Sequence, residues 1–263
     1  MYVGNLGSRF EKLLFFTRIP LLLVSRVVVF TRYSEREVGQ QWHIPTERVI
    51  SSSIGVDVTK YSDIRSSSNF YRAELGVSRD DRVILVVARL HPEKDVELAI
   101  RAALALNDPG TLLLIVGDGQ ERNRLEQLVA ELPGGTRIRF LGLMQDPRPA
   151  YAAADILLQT SRSPNLGTVV LEAMASGLPV VIAYRDSSEF LMALDTFDGD
   201  DIGVIAEATA DDLARAISTL SADPGKIEKL RTRVHNFVEV RHAQEVVYSK
   251  LLDDYTYLEN LTH

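Results

Sequence analysis

The sequence predicts an α/β fold built on a parallel, doubly wound sheet. Three observations carry this. Short, continuously apolar runs recur along the middle of the chain, Val83–Val87, Leu112–Val116 and Val180–Ala183 among them, too short for helices and without the polar alternation of a half-exposed strand. Segments with helical spacing of apolar residues separate them. Glycine and proline fall at the junctions, as in Gly117-Asp118-Gly119 and Pro133-Gly134-Gly135.

The elements follow in order. Arg26–Thr31 reads as a strand, Ser34–Trp42 as a helix and Arg48–Ser52 as a second strand. Residues 59–80 are polar and read as a connection with a short helix. Val83–Val87 is a fully buried strand, and Asp95–Leu106 a helix with Val96, Ala99, Ile100, Ala103 and Leu104 on one stripe. Leu112–Val116 is the next strand, and Gln120–Leu132 a charged helix. Ile138–Leu141 is a short strand and Pro147–Ala154 a short helix. Asp155–Gln159 is a strand leading to a helix that Gly167 opens, Gly177 ends and Pro179 forbids from continuing. Val180–Ala183 is the last strand. The final third reads as helical over Ala210–Leu220, Lys226–Val238 and Gln244–Leu258.

Composition bounds the function. The chain has 263 residues, 46% hydrophobic and 25% charged, with a formal net charge of −7. An acidic balance argues against a nucleic-acid partner, whose phosphates favour a basic face. With no cysteine there is no disulfide framework, thiolate metal site or cysteine nucleophile. The apolar runs Leu13–Phe16, Ile19–Val24 and Val27–Phe30 are broken by Arg18, Pro20 and Arg26, so they fall short of the roughly 20 apolar residues a membrane helix needs. They read as a buried helix followed by a strand. The expected location is cytoplasmic, with peripheral contact at the inner membrane face allowed.

Ligands of doubly wound sheets bind at the carboxyl ends of the strands, and candidate residues gather there. Arg89 and Lys94 lie on the loop after Val83–Val87, held by Pro92. A guanidinium and an ammonium five residues apart can clamp a diphosphate, the first as a fork and the second as a point charge; the alternative is two solvated surface charges. Gly117 and Gly119 follow the next strand and let a ligand approach the backbone; the alternative is a tight turn. At the helix that Gly167 opens, the free backbone N–H groups and the positive dipole end suit a phosphate. Glu172 sits within two turns, where a carboxylate can accept from sugar hydroxyls; the alternative is an ordinary core helix. The five histidines have no metal-ligand spacing. Asp195, Asp198, Asp200 and Asp201 form no complete calcium loop and read as a solvated loop. There is no nucleophile elbow, P-loop or dinucleotide glycine fingerprint.

Four features stand in order: SIGVD at 53–57, ARLHPEK at 88–94, VGDG at 116–119 and GTVVLEAMASGLP at 167–179. Together they resemble the nucleotide-sugar-binding half of retaining GT-B glycosyltransferases, in particular glycosyltransferase family 4, over roughly residues 25–258. The resemblance implies a Rossmann-like C-terminal GT-B domain over 58–240, a remnant of the N-terminal acceptor domain and hinge over 1–57, and a crossover helix over 241–263. It implies that Arg89 and Lys94 bind the donor diphosphate and steady the leaving group. Gly167, Thr168 and Val169 would meet the same phosphates, Glu172 the ribose, and Phe140 and Leu141, up to Gly142, the base. The donor is a nucleoside diphosphate sugar, no essential metal is expected, and acceptors in such enzymes are often lipid-linked or glycan.

Three departures from the pattern stand out. Pro164 occupies the position of the first glutamate of the E-x7-E pattern, leaving Asn165 and Leu166 beside the donor sugar. Ile54 replaces the usual asparagine of the hinge. Most of the acceptor domain would lie outside this sequence, which leads to an expectation of a separate acceptor-domain chain or self-association, and to an alternative role as a non-catalytic nucleotide-binding subunit or remnant. A nucleotide-sugar epimerase on the same plan and a nicotinamide dehydrogenase fit the motifs less well.

Overall fold

The computed structural model describes residues 27–29, 38, 44–162, 167–197 and 202–261. The N-terminal apolar runs before Val27, most of the expected 34–42 helix, the segment holding Pro164, Asn165 and Leu166, and Asp198, Asp200 and Asp201 lie outside these residues. Two compact units divide the chain. One takes residues up to Gly55 together with those from Gln244 onward, and the other runs from Val56 to Ala243.

In the first unit, β1 (Val27–Val29) pairs in parallel with β2 (Val49–Ser51), Val27 opposite Val49. Val27, Val29, Val38 and Ile44 form a small buried cluster with Val49 against it. The C-terminal helix of this unit, Gln244–Leu261, holds the carbonyl of Ser51 through Lys250 Nζ at 3.1 Å.

The larger unit carries, among the described residues, a six-stranded parallel sheet: β3 (Arg82–Val87), β4 (Thr111–Val116), β5 (Ile138–Gly142), β6 (Ile156–Gln159), β7 (Val180–Tyr184) and β8 (Gly203–Glu207). The spatial order is β5-β4-β3-β6-β7-β8. The chain winds outward from β3 to β5, then returns to the other side of β3 and winds outward again. This is the doubly wound order, and its switch point is the crevice between β3 and β6. Continuous apolar strands result because both sheet faces are covered: Val83–Leu85, Leu112–Ile115 and Val180–Val181 are fully buried.

The helices are α1 (Ser68–Glu74), α2 (Val96–Ala105), α3 (Arg122–Glu131), α4 (Arg148–Ala153), α5 (Thr168–Ala175), α6 (Ser187–Phe197), α7 (Ala210–Ser221) and α8 (Pro224–His242), with α9 the Gln244–Leu261 helix. Their ends follow local chemistry. Thr209 caps α7 by accepting the Asp212 N–H at 3.1 Å, and Asp223 caps α8 through the Lys226 N–H at 3.0 Å, with Pro224 in the first turn. At the end of α5, Gly177 takes φ +69°, the Leu178 N–H reaches the Ala173 carbonyl and the Gly177 N–H that of Met174, both at 2.9 Å. That double closure is a Schellman motif, the stop that Gly177 and Pro179 predict.

Two corrections arise. The final third is not wholly helical, because Gly203–Glu207 is the edge strand β8, paired with β7 from Val180–Gly203 to Tyr184–Glu207. Its apolar run is only Val204–Ala206, and pairing to β7 decides its state. Asp195 belongs to α6, not to a loop. The 59–80 connection contains short 3-10 turns at Val58–Lys60 and Ile64–Ser67 before α1.

Candidate functional site

The loops after β3 and β6 flank the switch point, and they are stitched together. The β3 loop turns through a short 3-10 segment, Pro92–Lys94, with His91 Nδ1 accepting the Glu93 N–H at 3.4 Å. Its carbonyls face the end of β6. Thr160 Oγ1 donates to the Lys94 carbonyl at 3.0 Å, Ser161 Oγ to that of Glu93 at 3.4 Å, and the Arg162 N–H to Glu93 O at 2.8 Å. Thr160 and Ser161 are themselves buried.

Arg89 and Lys94 share an anion of their own. Glu93 Oε1 accepts from Arg89 Nη2 at 2.9 Å and lies 3.5 Å from Lys94 Nζ. The Arg89 hydrogen bond, and then the charge of Lys94, hold the Glu93 carboxyl below the usual glutamate range. Both cations are accessible, Arg89 the more so.

Gly117 and Gly119 bring the β4 loop against the β3 loop. The Leu90 N–H donates to Asp118 O at 2.9 Å, the Ala88 N–H to Val116 O at 3.0 Å and the Glu121 N–H to Leu90 O at 3.1 Å. A side chain at Gly117 would collide with the Ala88 carbonyl, and one at Gly119 with that of Leu90. The turn alternative thus has a physical cause: these glycines are needed where two backbones meet.

Gly167 is the N-cap of α5 in extended backbone, and its carbonyl accepts from Val170 N at 3.1 Å. The N–H groups of Thr168 and Val169 have no acceptor among the described residues, as the first turn of a helix leaves them. Behind them, Val170, Leu171, Ala173 and Met174 are fully buried. The core-helix alternative and an anion-facing N-terminus are therefore compatible: one end of α5 faces the crevice while its body packs.

Glu172 is not a bare carboxylate. Tyr151 Oη of α4 donates to its Oε2 at 2.9 Å. Burial first, and then the charge of Glu172, raise the hydroxyl pKa of both Tyr151 and Tyr61, so both stay protonated donors. The two rings meet edge to face at 6.1 Å. Sequence reasoning passed over both tyrosines. The available signal was a tyrosine inside the otherwise small, buried turn AYAAAD, whose hydroxyl must find a partner.

Phe140 and Leu141 lie on β5 at the edge of the sheet, two strands from β3, both half-buried. The tie to the crevice runs through backbone, with Gly117 N–H donating to Gly142 O at 2.8 Å. The structure therefore gathers Arg89, Lys94, Gly117 and Gly119 on two joined loops, sets Gly167, Thr168 and Val169 across the crevice, and leaves Phe140 and Leu141 at its outer side. Asn165 and Leu166 lie outside the described residues. Among the described residues no group of three His, Asp or Glu is placed to hold a metal ion, and no helix is long and apolar enough to cross a membrane.

Comparison with known proteins places the fold. The chain is 31% identical over 245 residues to the lipopolysaccharide core biosynthesis glycosyltransferase LpsE of Rhizobium meliloti, covering 93% of this chain and 66% of that protein. It is 32% identical over 169 residues to the D-inositol 3-phosphate glycosyltransferase of Nocardia farcinica, covering 60% of this chain and 37% of the relative. The chain thus spans about a third to two thirds of the length of these relatives. Among solved structures, Anabaena Alr3699/HepE in complex with UDP superposes with a TM-score of 0.78 at 25% identity, covering 89% of this chain and 64% of that one. Sucrose-phosphate synthase of Thermosynechococcus elongatus gives 0.80 at 24% identity, covering 99% and 65%. The larger unit is accordingly the Rossmann-like C-terminal domain of a GT-B fold. The model of the family described as "Glycosyl transferases group 1" matches residues 67–237, two thirds of the chain, and the chain belongs to that family.

Proposed function

We propose that this chain supplies the donor-binding half of a retaining hexosyltransferase of glycosyltransferase family 4, acting in glycan, glycolipid or lipopolysaccharide synthesis. The observation that supports this most is the pairing, across the β3–β6 crevice, of two accessible cations with a helix N-terminus whose first N–H groups await an anion. A nucleoside diphosphate sugar fits that arrangement. Arg89 and Lys94 take the diphosphate from one side, and the N–H groups of Thr168 and Val169 from the other. Glu172, oriented by Tyr151, accepts from the ribose hydroxyls. Phe140 and Leu141 border the base, and Asn165 and Leu166 the sugar.

The glycosidic bond to the leaving phosphate breaks as the acceptor hydroxyl oxygen bonds to the anomeric carbon, and the hydroxyl proton leaves with the departing diphosphate. Negative charge grows on the departing diphosphate, where fixed cations stabilise it more than they stabilise the bound donor. That placement makes an essential metal unnecessary. The relatives' names point to lipopolysaccharide core biosynthesis and to D-inositol 3-phosphate, and HepE structures hold UDP and UDP-glucose. We therefore take UDP as the first nucleotide to try and a lipid-linked or glycan hydroxyl, met at the inner membrane face, as the acceptor. Pro164 at the position of the first motif glutamate favours a second reading, a nucleotide-binding subunit that works with a separate acceptor-domain chain or a second copy.

The test is thermal unfolding with UDP, GDP, ADP and no ligand, with and without EDTA. At about 100 times its Kd a nucleotide stabilises the fold by about 2.7 kcal/mol. One nucleotide should raise Tm, unchanged by EDTA, and Arg89→Ala or Glu172→Gln should abolish most of the shift. No shift with any nucleotide from folded protein overturns the donor-site reading.

A further inference from the structure

Asp95, the residue after Lys94, has a left-handed backbone, φ +46° and ψ +48°. Glycine adopts that conformation without steric cost, and aspartate does so more readily than most residues, at a cost that its surroundings offset. The carboxylate supplies that offset. Asp95 Oδ2 accepts from Arg185 Nη2 at 2.7 Å and from Arg162 Nη2 at 3.2 Å. Arg185 follows β7, and its guanidinium also donates to the carbonyls of Thr160, at 2.8 Å, and Ser161, at 3.4 Å. Glu189, nearly buried, fixes Arg185 in turn, its Oε2 accepting from the Arg185 backbone N–H at 2.7 Å and lying 3.3 Å from Nη1. The Asp95 and Arg185 side chains are only 18% and 21% exposed. The ends of β3, β6 and β7 are thereby joined through one carboxylate, directly behind Lys94.

We propose that Asp95 and Arg185 are positioning residues that set where Lys94 stands against the donor diphosphate. They touch no substrate. They act by locking the turn that carries Lys94 onto the ends of the neighbouring strands, so that the ammonium is already in place when the ligand arrives. Preorganised charge loses little freedom on binding, and that is the source of the affinity it gives. The inference rests on the donor-site reading above, because it assigns Lys94 the diphosphate.

The experiment measures affinity for whichever of UDP, GDP and ADP binds, and for the matching nucleoside, in Asp95→Gly, Asp95→Asn, Arg185→Ala and the Asp95→Gly/Arg185→Ala double variant. Glycine keeps the left-handed backbone and removes the carboxylate; asparagine keeps an acceptor and removes the charge. Expected are about tenfold weaker diphosphate binding in Asp95→Gly and Arg185→Ala, a smaller loss in Asp95→Asn, and a double variant no worse than either single one. Nucleoside affinity should stay at the wild-type value throughout, which a general loss of structure would not leave untouched. Diphosphate affinity unchanged in Asp95→Gly, equal losses for nucleoside and diphosphate, or additive losses in the double variant overturn the proposal while leaving the donor site standing. A wild-type chain that binds none of the three nucleotides removes both.

Discussion

At the scale of single residues, the crevice is shaped by close backbone approach as much as by side-chain chemistry. Gly117 has φ +132°, and a Cβ there would run into the Ala88 carbonyl. Gly117→Ala must therefore separate the β3 and β4 loops or strain both. We expect a loss of about 2 kcal/mol in urea unfolding, with weaker nucleotide binding because Arg89 follows Ala88 directly. A loss under about 0.5 kcal/mol, the range of neutral surface changes, would mean that the two loops part freely. Glu93 and Glu172 show the same economy in a different form. Each carboxylate is already partnered, Glu93 by Arg89 and Lys94 and Glu172 by Tyr151, so each is oriented before a ligand arrives.

At the scale of elements, the Asp155 ion-pair cluster and the proposed donor site occupy opposite ends of the sheet. The residue before β6, Asp155, lies at the amino-terminal end. Its Oδ2 accepts from Arg72 Nη2 of α1 at 2.8 Å and from the Val83 N–H at 2.9 Å, and its Oδ1 from Arg231 Nη2 of α8 at 3.3 Å. Arg72 is buried and also donates to the carbonyls of Ser78, Arg79 and Asp81. One carboxylate thus joins α1 and α8 to β3. Removing it takes the shared carboxylate from two largely buried guanidinium groups, a loss of about 3 kcal/mol, the low end for a broken buried pair because Arg72 keeps three carbonyl acceptors. Asp155→Ala should lower Tm sharply yet leave nucleotide affinity unchanged at temperatures where the variant is folded. Impaired binding in the folded variant would show that the two ends of the sheet are coupled.

At the scale of the whole molecule, the acidic chain keeps many of its carboxylates ionised by local partners. The Gly110 N–H and the Thr111 hydroxyl hold Asp108 below its ordinary pKa. Arg124 and Arg101 do so for Glu97, and Thr209 for Asp212. These groups bind protons less readily folded than unfolded, so stability rises with pH in the range where the unfolded chain is taking them up. Their contribution is complete above the unfolded values, about 3.9 for Asp and 4.3 for Glu. It is lost as pH falls through the lower folded values. Urea midpoints should be level from about pH 6 upward and fall below about pH 4. Asp108→Asn should lower the midpoint at pH 7, and its curve should converge with wild type in acid. A gap that persists at about pH 3, below the unfolded carboxylate values, would assign the Asp108 effect to packing and not to charge.

Much of the fold was legible in the sequence because its causes are local and periodic. Apolar runs such as Val83–Val87 and Leu112–Val116, alternating with helical stripes, read as buried strands of a covered sheet, and Gly177 with Pro179 marks a helix end. The order of four motifs also pointed to a GT-B glycosyltransferase, and the comparisons show the group 1 glycosyl transferases. The strand β8 was not legible, since pairing to β7 creates it. In the candidate site, Arg89, Lys94, Gly167 and Glu172 stood out by their places after strands and at a helix start. Tyr151, which orients Glu172, the bridging role of Glu93 and the lock formed by Asp95 and Arg185 did not. Asp95 and Arg185 are 90 residues apart, and no spacing rule joins them. The sequence by itself determined the layers, the direction of the strands and the edge proposed here for the donor, because hydrophobic burial and helix capping act over neighbouring residues. The tertiary structure alone decided which charges meet across that edge, because those encounters depend on three strands ending side by side.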